Sequence, residues 1–279
     1  MPERPDLENW IPRLREAVVG RRVKRVRVVN PIVLRAAVDL HRLADARITA
    51  VDRHGPFVKF TVGDVEIVIH PMLAGRFSIA GLRDKTPADV ALGLPLDNDT
   101  ELRYRDDRQM GKVYVVPAGE HASIAGYEPM GIDVLDPATF TREAFLRIAK
   151  GRREQVKAFL LDHSALDTFG NAYADETLWE AGIHPKLRVN ELSPEQLDRL
   201  FVTIPNVLIQ AREEIAARNP PLEEKVRDFL AVRRKKGEAC PRCGTAVRVC
   251  GMRGYDAFFC PKCQPDSKGR SLVDWSRLG

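Results

Sequence analysis

Four of the five cysteines occur as two closely spaced pairs near the C-terminus. Cys240 and Cys243 form the first C-x2-C pair, and Cys260 and Cys263 form the second after sixteen intervening residues. This spacing is typical of tetrahedral Zn²⁺, to which each pair supplies two thiolates from a tight turn. We therefore predict one structural zinc ion held by these four cysteines. Cys250 lies between the pairs, and we interpret it as a buried thiol rather than a ligand.

A second reactive pattern lies at the N-terminus, where Pro2 follows the initiator methionine and precedes Glu3. Removal of Met1 would leave a secondary amine. Because an α-amino group titrates at about pH 8, a useful fraction of it is neutral at physiological pH. Such an amine can capture an aldehyde, for example ring-opened deoxyribose, as a Schiff base. Pro2 is thus a candidate nucleophile and Glu3 a candidate general acid or base beside it. A Met-Pro-Glu start is also common by chance, so the dipeptide alone leaves open an N-terminus without a catalytic role.

The charge of the chain is concentrated around the cysteines. From residue 231 to the end there are eleven basic and four acidic residues, a net charge of +7, whereas the whole chain carries +5. A basic segment on a nearly neutral body indicates a polyanionic partner, most simply a nucleic acid. Charge alone leaves open a solvated tail whose only role is solubility.

The first part of the chain reads as β-rich with one leading helix. Residues 5–19 place an apolar stripe on one helical face, and Gly20 can end that helix. Residues 81–100 are rich in Pro, Asp and Gly, which predicts a long loop. We therefore expect a β-sandwich domain over 1–125. Its predicted strands are 22–29, 48–53, 57–62, 65–70, 101–105 and 112–116.

From about Thr139 onwards the apolar period becomes helical. Predicted helices cover 141–149, 153–161, 172–181 and 194–218, and Ser193 with Gln196 forms a capping box for the last of them. We expect a helical domain over 135–230, a zinc finger over 231–266 and a tail over 267–279. The predicted fold class is α+β and multidomain.

Three motifs, in the expected order along the chain, resemble one family. Residues 1–8, MPERPDLE, resemble M-P-E-L-P-E-V-E. Residues 169–176 and 181–185, FGNAYADE and AGIHP, resemble G-N-x-Y-A-x-E and A-G-I-H-P. Residues 232–240, VRRKKGEAC, are similar to V-Y-G-R-K-G-E-P-C. On these motifs the chain is identified as a member of the formamidopyrimidine-DNA glycosylase and endonuclease VIII family.

The resemblance implies a β-sandwich, a helix-two-turns-helix domain and a zinc β-hairpin that together bind damaged double-stranded DNA. The damaged nucleotide is flipped out of the duplex so that Pro2 attacks the sugar C1′ while Glu3 assists. Asn171 and Lys157 match phosphate contacts of the family. Arg108 and Met110, in the segment DRQMG, match the arginine and phenylalanine that fill the hole left by the flipped base; Met110 can still intercalate.

Two departures from the family concern strand cleavage. The family segment R-x-G-K-x-L-x-F has its lysine where this chain has Pro56, which can neither donate a proton nor pair with phosphate. Lys59 lies at an odd offset on a predicted strand, so it points to the opposite face. In the zinc finger, Tyr255 replaces an arginine five residues before the third cysteine, and Arg253 is two residues away. We expect weakened elimination chemistry after base removal.

Two further departures concern the lesion. The family's void-filling methionine is Leu73 here. After the last long helix the chain runs Asn219-Pro220-Pro221 into another predicted helix, rather than into the longer Gly-rich loop with which relatives close over 8-oxoguanine. We therefore expect an altered lesion preference.

The leading hypothesis is a base-excision-repair DNA glycosylase that uses Pro2 and Glu3. The alternatives are a non-catalytic DNA-damage-binding protein of the same fold and an RNA-binding zinc-ribbon protein, although the latter does not explain the N-terminus. The chain has neither an apolar run long enough to span a bilayer nor the apolar core of a signal peptide. We expect a cytoplasmic, nucleoid-associated monomer of bacterial type.

Overall fold

The computed structural model describes residues 2–167, 169–252 and 254–266, which divide into two compact units. One unit contains 2–129 with 214–226, and the other contains 130–213 with 227–266. The predicted tail over 267–279 lies outside the described residues. The helices are α1 Arg4–Val18, α2 Arg142–Ala149, α3 Val156–Leu160, α4 Asn171–Glu180 and α5 Pro194–Arg218. Within the described part of the chain, none of the helices combines the length and apolarity needed to cross a membrane.

The strands of the first unit form two sheets. They are β1 Arg27–Val28, β2 Leu34–Ala36, β3 Ile48–His54, β4 Phe57–Val62, β5 Val65–His70, β6 Arg76–Gly81, β7 Val90–Pro95, β8 Thr100–Arg105 and β9 Lys112–Pro117. One sheet has the order β1-β7-β8-β6 and the other β2-β9-β5-β4-β3. The β2–β9 pair is parallel, and the other pairs are antiparallel.

The core of this unit joins both sheets to α1. Strand residues alternate between faces, so one face of each sheet contributes its apolar side chains to the same cluster. Phe77 of β6 contacts Phe60 of β4 and Trp10 of α1, with ring centroids 5.8 Å and 5.5 Å apart. The predicted β-sandwich with a leading helix is therefore confirmed.

The prediction of a long loop over 81–100 is wrong, because β7 lies within it and is buried along its whole length. The misleading residues are Gly93 and Pro95, which in an isolated sequence indicate turns. Gly93 is required by packing rather than by a turn: a Cβ there would lie 2.3 Å from Glu101 Oε1. Pro95 is the last residue of the strand, where a missing N–H is tolerated.

The second unit contains α2 to α4, most of α5, and a hairpin of β10 Arg248–Met252 and β11 Tyr255–Phe259. The capping box at α5 is confirmed, since Gln196 N–H donates to Ser193 Oγ and Ser193 N–H donates to Gln196 Oε1. The helix predicted beyond Leu222 does not form. Asn219 ends α5 with a left-handed backbone (φ +41°), two prolines follow, and Leu222 packs into the core of the first unit.

Glu101 of β8 is a buried acid with two arginine partners. Arg27 donates to both of its oxygens, at 2.8 and 2.9 Å, and Arg103 donates at 2.6 Å. Burial raises the pKa of this carboxyl, but the bonds and charges of Arg27 and Arg103 outweigh burial and lower the pKa of Glu101 below its ordinary value. The carboxylate therefore stabilises the fold while it is ionised.

We expect Glu101→Gln to destabilise the protein by about 2–3 kcal/mol at pH 7, because it leaves two arginines without their counter-charge. A lowered carboxyl pKa gives stability that is present above the unfolded-state pKa and is lost as pH falls through the folded-state value. The difference between wild type and variant in urea unfolding should therefore shrink below about pH 4. Glu120→Gln, at an exposed position, serves as the control; a pH-independent difference at Glu101 would contradict the assignment.

Candidate functional site

The two residues predicted to act chemically lie at the start of α1. Glu3 is the N-cap residue, with an extended backbone and only 6% of its surface exposed. Its backbone N–H donates to Asp6 Oδ2 at 2.8 Å. Pro2 is buried and directly precedes it. An amine at residue 2 would therefore lie at the positive end of the helix dipole, which favours its neutral form, with a carboxylate on the adjacent residue.

Contacts along α1 fix the direction of this helix within the first unit. Leu7 and Leu14 are fully buried in the core, and Trp10 packs edge-on against Phe77. Arg15 donates to the Val51 carbonyl at 2.6 Å and pairs with the Asp52 carboxylate at 2.8 Å. The helix start is thus held by the sandwich rather than by propensity alone.

Lys59 of β4 does not offer a free ammonium in place of Pro56. Pro56 is buried in the turn between β3 and β4. Lys59 Nζ lies 3.1 Å from Glu66 Oε1 on the neighbouring strand. Burial lowers the pKa of Lys59, but the bond and charge of Glu66 outweigh burial and raise it above its ordinary value. Lys59 is therefore a charged group committed to Glu66.

Two loops of the first unit present apolar tips to solvent. Leu73 is 56% exposed in the loop between β5 and β6, and Met110 is 42% exposed in the loop between β8 and β9. In both loops the preceding residue has a left-handed backbone, Met72 with φ +49° and Gln109 with φ +54°. Arg108 is exposed beside Met110. Strained backbone followed by an exposed large apolar side chain is typical of a surface that binds a partner.

The base of both loops packs around the buried hydroxyl of Tyr104. A Cβ would lie 2.5 Å from Tyr104 Oη at Gly75 and 1.8 Å from it at Gly111. Asp106 accepts from the Gly111 N–H at 2.6 Å. Among the described residues Tyr104 Oη has no hydrogen-bond partner, and burial raises the pKa of this phenol. The two glycines therefore allow a close approach that sets the position of both loops.

Gly111→Ala should destabilise the protein by about 1–3 kcal/mol, the usual cost of overpacking, because Tyr104 Oη must move. The double variant with Tyr104→Phe should recover part of this loss, since the atoms that remain nearest to the added methyl group, Asp106 Oδ2 at 2.8 Å and the ring Cζ at 3.0 Å, are much farther away than the hydroxyl. Urea unfolding of both variants and of Tyr104→Phe alone measures the recovery. Equal instability of the single and double variants would refute the role of the hydroxyl.

In the second unit, Lys157 of α3 is completely buried. Its Nζ donates to Asp175 Oδ1 at 2.6 Å and to the backbone carbonyl of Asp256. Burial lowers the pKa of Lys157. The ammonium thus lies inside the protein between α4 and the hairpin, and its direct contact with DNA stays a prediction.

Asn171 is the first residue of α4, after the N-cap Gly170. Its Nδ2 donates to Asp256 Oδ1 at 3.1 Å, and its buried Oδ1 has no partner among the described residues. The structure therefore brings Asn171 and Lys157 to the same hairpin residue. Contact of Asn171 with phosphate also stays a prediction.

Sequence reasoning missed the importance of two acids in α4. Glu176 accepts from the backbone N–H groups of Ala231, Val232 and Arg233 at 2.7–3.0 Å. Asp175, fully buried, binds both Lys157 and the Arg233 guanidinium, the latter at 2.8 Å. Two adjacent acids next to the apolar Tyr173, Ala174 and Leu178 could have signalled this, because buried carboxylates need partners.

The four predicted ligand cysteines converge in the second unit. The sulfurs of Cys240, Cys243, Cys260 and Cys263 all lie within 4.8 Å of one another. The Cys240–Cys263 and Cys243–Cys260 sulfurs are 3.9 and 3.4 Å apart. A tetrahedral ion with Zn–S bonds of about 2.3 Å requires sulfurs roughly 3.8 Å apart. The donor set and its dimensions therefore fit a structural zinc ion.

Strands β10 and β11 with the four cysteines form what we call the zinc hairpin. Polar contacts connect this hairpin to α4 and to the turn after it. Trp179 Nε1 donates to Cys240 Sγ at 3.4 Å, and the Arg242 guanidinium stacks on the same indole at 4.3 Å. Gln264 accepts from the Cys260 N–H and donates to the Ile183 carbonyl, both at 2.9 Å. Ligand geometry and docking of the hairpin are therefore coupled.

Three other positions of the hairpin bear on the interpretation of its sequence. Cys250 is buried outside the sulfur cluster, next to Phe259, and burial raises the pKa of its thiol to about 11. It is therefore a neutral core thiol, as expected. Tyr255 is 53% exposed. Arg253 lies outside the described residues.

Cys260→Ser should abolish binding of one zinc ion per chain and release the hairpin, because the fold of such a small unit depends on its metal. Cys250→Ala, the matched control, should retain the ion. Atomic absorption gives the metal content, and the Trp179 environment reports docking through fluorescence. Full zinc retention in Cys260→Ser, or loss in Cys250→Ala, would show that the ligand set is wrong.

Family models match three consecutive regions of the chain. The formamidopyrimidine-DNA glycosylase N-terminal domain matches residues 1–113, and the H2TH domain of the same enzymes matches 130–218. A zinc finger found in FPG and IleRS matches 237–265. Each match falls on the part of the chain where the corresponding architecture is observed.

Whole-chain relatives agree with these matches. Formamidopyrimidine-DNA glycosylase of Symbiobacterium thermophilum is 31% identical over 98% of this chain and 92% of its own. That of Brevibacillus brevis is 30% identical over 95% and 99%. Lactococcus lactis Fpg, solved in complex with DNA containing an abasic site, superposes with a TM-score of 0.85 at 24% identity, over 95% of this chain and all of that one.

Proposed function

Since the chain belongs to the formamidopyrimidine-DNA glycosylase family, we propose that it removes a damaged base from double-stranded DNA through its N-terminal proline. The protein is a DNA glycosylase of base excision repair with a structural zinc site. A non-catalytic damage-binding protein of the same fold is not favoured. The observation that supports the proposed chemistry is the burial of Glu3 beside Pro2 at the start of α1.

The proposed reaction begins after Met1 has been removed. The Pro2 nitrogen attacks the sugar C1′ of a flipped nucleotide, the base leaves with the electron pair of the glycosidic bond, and the proton lost by the proline nitrogen is taken up by the departing base. Glu3 supplies a proton to the sugar ring oxygen as the ring opens, and the proline nitrogen then forms an iminium ion with C1′. The positive end of α1 favours the neutral, nucleophilic amine before attack.

The remaining predicted residues act on the DNA. Arg108 and Met110, with exposed Leu73, enter the gap left by the flipped base, and Asn171 contacts a phosphate, with the buried Lys157 ammonium as further positive charge behind it. The observed exposure of the two loop tips supports the first role. Pro56 and Tyr255 stand where relatives have basic residues, so strand cleavage after base removal is weak. The preferred lesion is a base other than 8-oxoguanine.

The same proposal covers the setting in which the protein acts. Its partner is damaged duplex DNA, as in the solved complexes of the structural neighbours. One chain binds one lesion as a monomer. The site of action is the bacterial nucleoid in the cytoplasm.

The test is borohydride trapping on a duplex with one abasic site. The wild-type chain without Met1 should form a covalent adduct, and peptide mass analysis should place it on Pro2. Glu3→Gln should slow base release by roughly 100-fold or more, whereas Glu16→Gln, an exposed acid of the same helix, should not. Base release and strand scission are scored separately on oxidised purines, oxidised pyrimidines and alkylated bases. An adduct on any residue other than Pro2 would sink the proposed nucleophile.

A further inference from the structure

Donors from three different segments converge on Asp256 in the zinc hairpin. Its carboxylate Oδ1 accepts from Asn171 Nδ2 at 3.1 Å and from the Arg233 guanidinium at 2.9 Å. Its backbone carbonyl accepts from Lys157 and, at 3.5 Å, from Arg233. An amide and a guanidinium directed at one oxygen anion form the kind of donor set that binds phosphate.

Two acids pair with the basic residues of this cluster, Asp175 inside the protein and Asp256 at its surface. Asp175 has a completely buried side chain and pairs with both Lys157 and Arg233 from inside, so its single negative charge offsets one of their two positive charges. The Asp256 side chain is 48% exposed, on the solvent side of Arg233, which is 13% exposed. Asp256 therefore balances the second positive charge at the surface, where an external anion would otherwise do so.

We propose that the Asp256 carboxylate is an internal substitute for a DNA phosphate. In the free protein the carboxylate accepts the hydrogen bonds of Asn171 and Arg233, and it must leave these donors when DNA binds. This inference rests on the proposed function, because it assigns the competing anion to the DNA backbone. The exchange replaces one oxygen anion with another on the same donors and changes no covalent bond. The exchange lowers the affinity for DNA, because a DNA phosphate must displace the Asp256 carboxylate before it can bind these donors.

The geometry allows the side chain to leave without unfolding the hairpin. The backbone at Asp256 is held independently, through its carbonyl and through pairing with Gly251. After the Asp256 carboxylate has left, Asp175 and the face of Phe258, 4.9 Å from the guanidinium, still hold Arg233 in place. Only a rotation of the half-exposed carboxylate towards water is required.

Asp256→Asn tests the inference, because it removes the charge and keeps the size. The variant should bind a duplex with a tetrahydrofuran abasic analogue about fivefold or more tightly than wild type, since repulsion of the phosphate is removed. Its log Kd should also depend more steeply on log salt, by up to about 0.9 for one added phosphate contact. Glu143→Gln, which removes the same charge from an exposed position of α2, measures the general electrostatic gain.

Asn171→Ala adds a second, independent arm. It should weaken binding in both backgrounds, because a phosphate donor is lost, but by a larger factor in the Asp256→Asn background, where no carboxylate competes for the amide and most of the gain should disappear. Asp256→Ala is measured in parallel, and zinc content and the melting temperature verify the fold of each variant. A purely structural ion pair predicts instead that loss of Asp256 weakens binding and lowers the melting temperature.

The outcomes separate the two proposals. If wild type forms the Pro2 adduct but folded Asp256→Asn and Asp256→Ala bind no tighter than Glu143→Gln, the inference is overturned and the glycosylase proposal stands. If Asp256→Asn binds more tightly but no adduct forms, the inference is supported and the proline chemistry fails.

Discussion

Buried charge that must be neutralised within the protein determines the construction of the second unit. Asp175 and Glu176 are adjacent in α4 and both are buried, so each needs its own partners. Glu176 collects three consecutive backbone N–H groups where the chain turns towards the first ligand cysteine. Asp175 takes Lys157 and Arg233. The start of the zinc hairpin is therefore positioned by carboxylates with fixed directions, which specify orientation more narrowly than apolar contact does.

In the first unit, the main structural requirement is to fix the positions of two exposed loop tips. Leu73 and Met110 have little packing of their own, so their positions depend on the loop bases. There, Gly75 and Gly111 close on the hydroxyl of Tyr104, at distances that exclude any side chain. The exposed tips are thereby carried on loop bases that pack tightly against the sandwich.

Local signals in the sequence were sufficient for the parts of the fold that local chemistry determines. The cysteine spacing predicted the metal cluster, and the capping box predicted the start of α5. Features that depend on distant residues were not predictable in this way. Gly93 contributes to the prediction of a loop over 81–100, because the Glu101 side chain that requires a glycine there lies on another strand. The burial of Lys157 is not predictable from its neighbours in the sequence either, because its partner Asp175 is on another helix.

Burial in the hairpin core keeps the fifth sulfur, that of Cys250, out of the chemistry of the four ligand cysteines. With a pKa of about 11, only roughly one molecule in ten thousand carries this residue as a thiolate at pH 7. Metal ions, oxidants and disulfides all react with the thiolate form. While the hairpin is folded, Cys250 is therefore protected from metal ions and oxidants by the same core that it helps to fill, and that protection lasts only as long as the four ligand cysteines hold the fold.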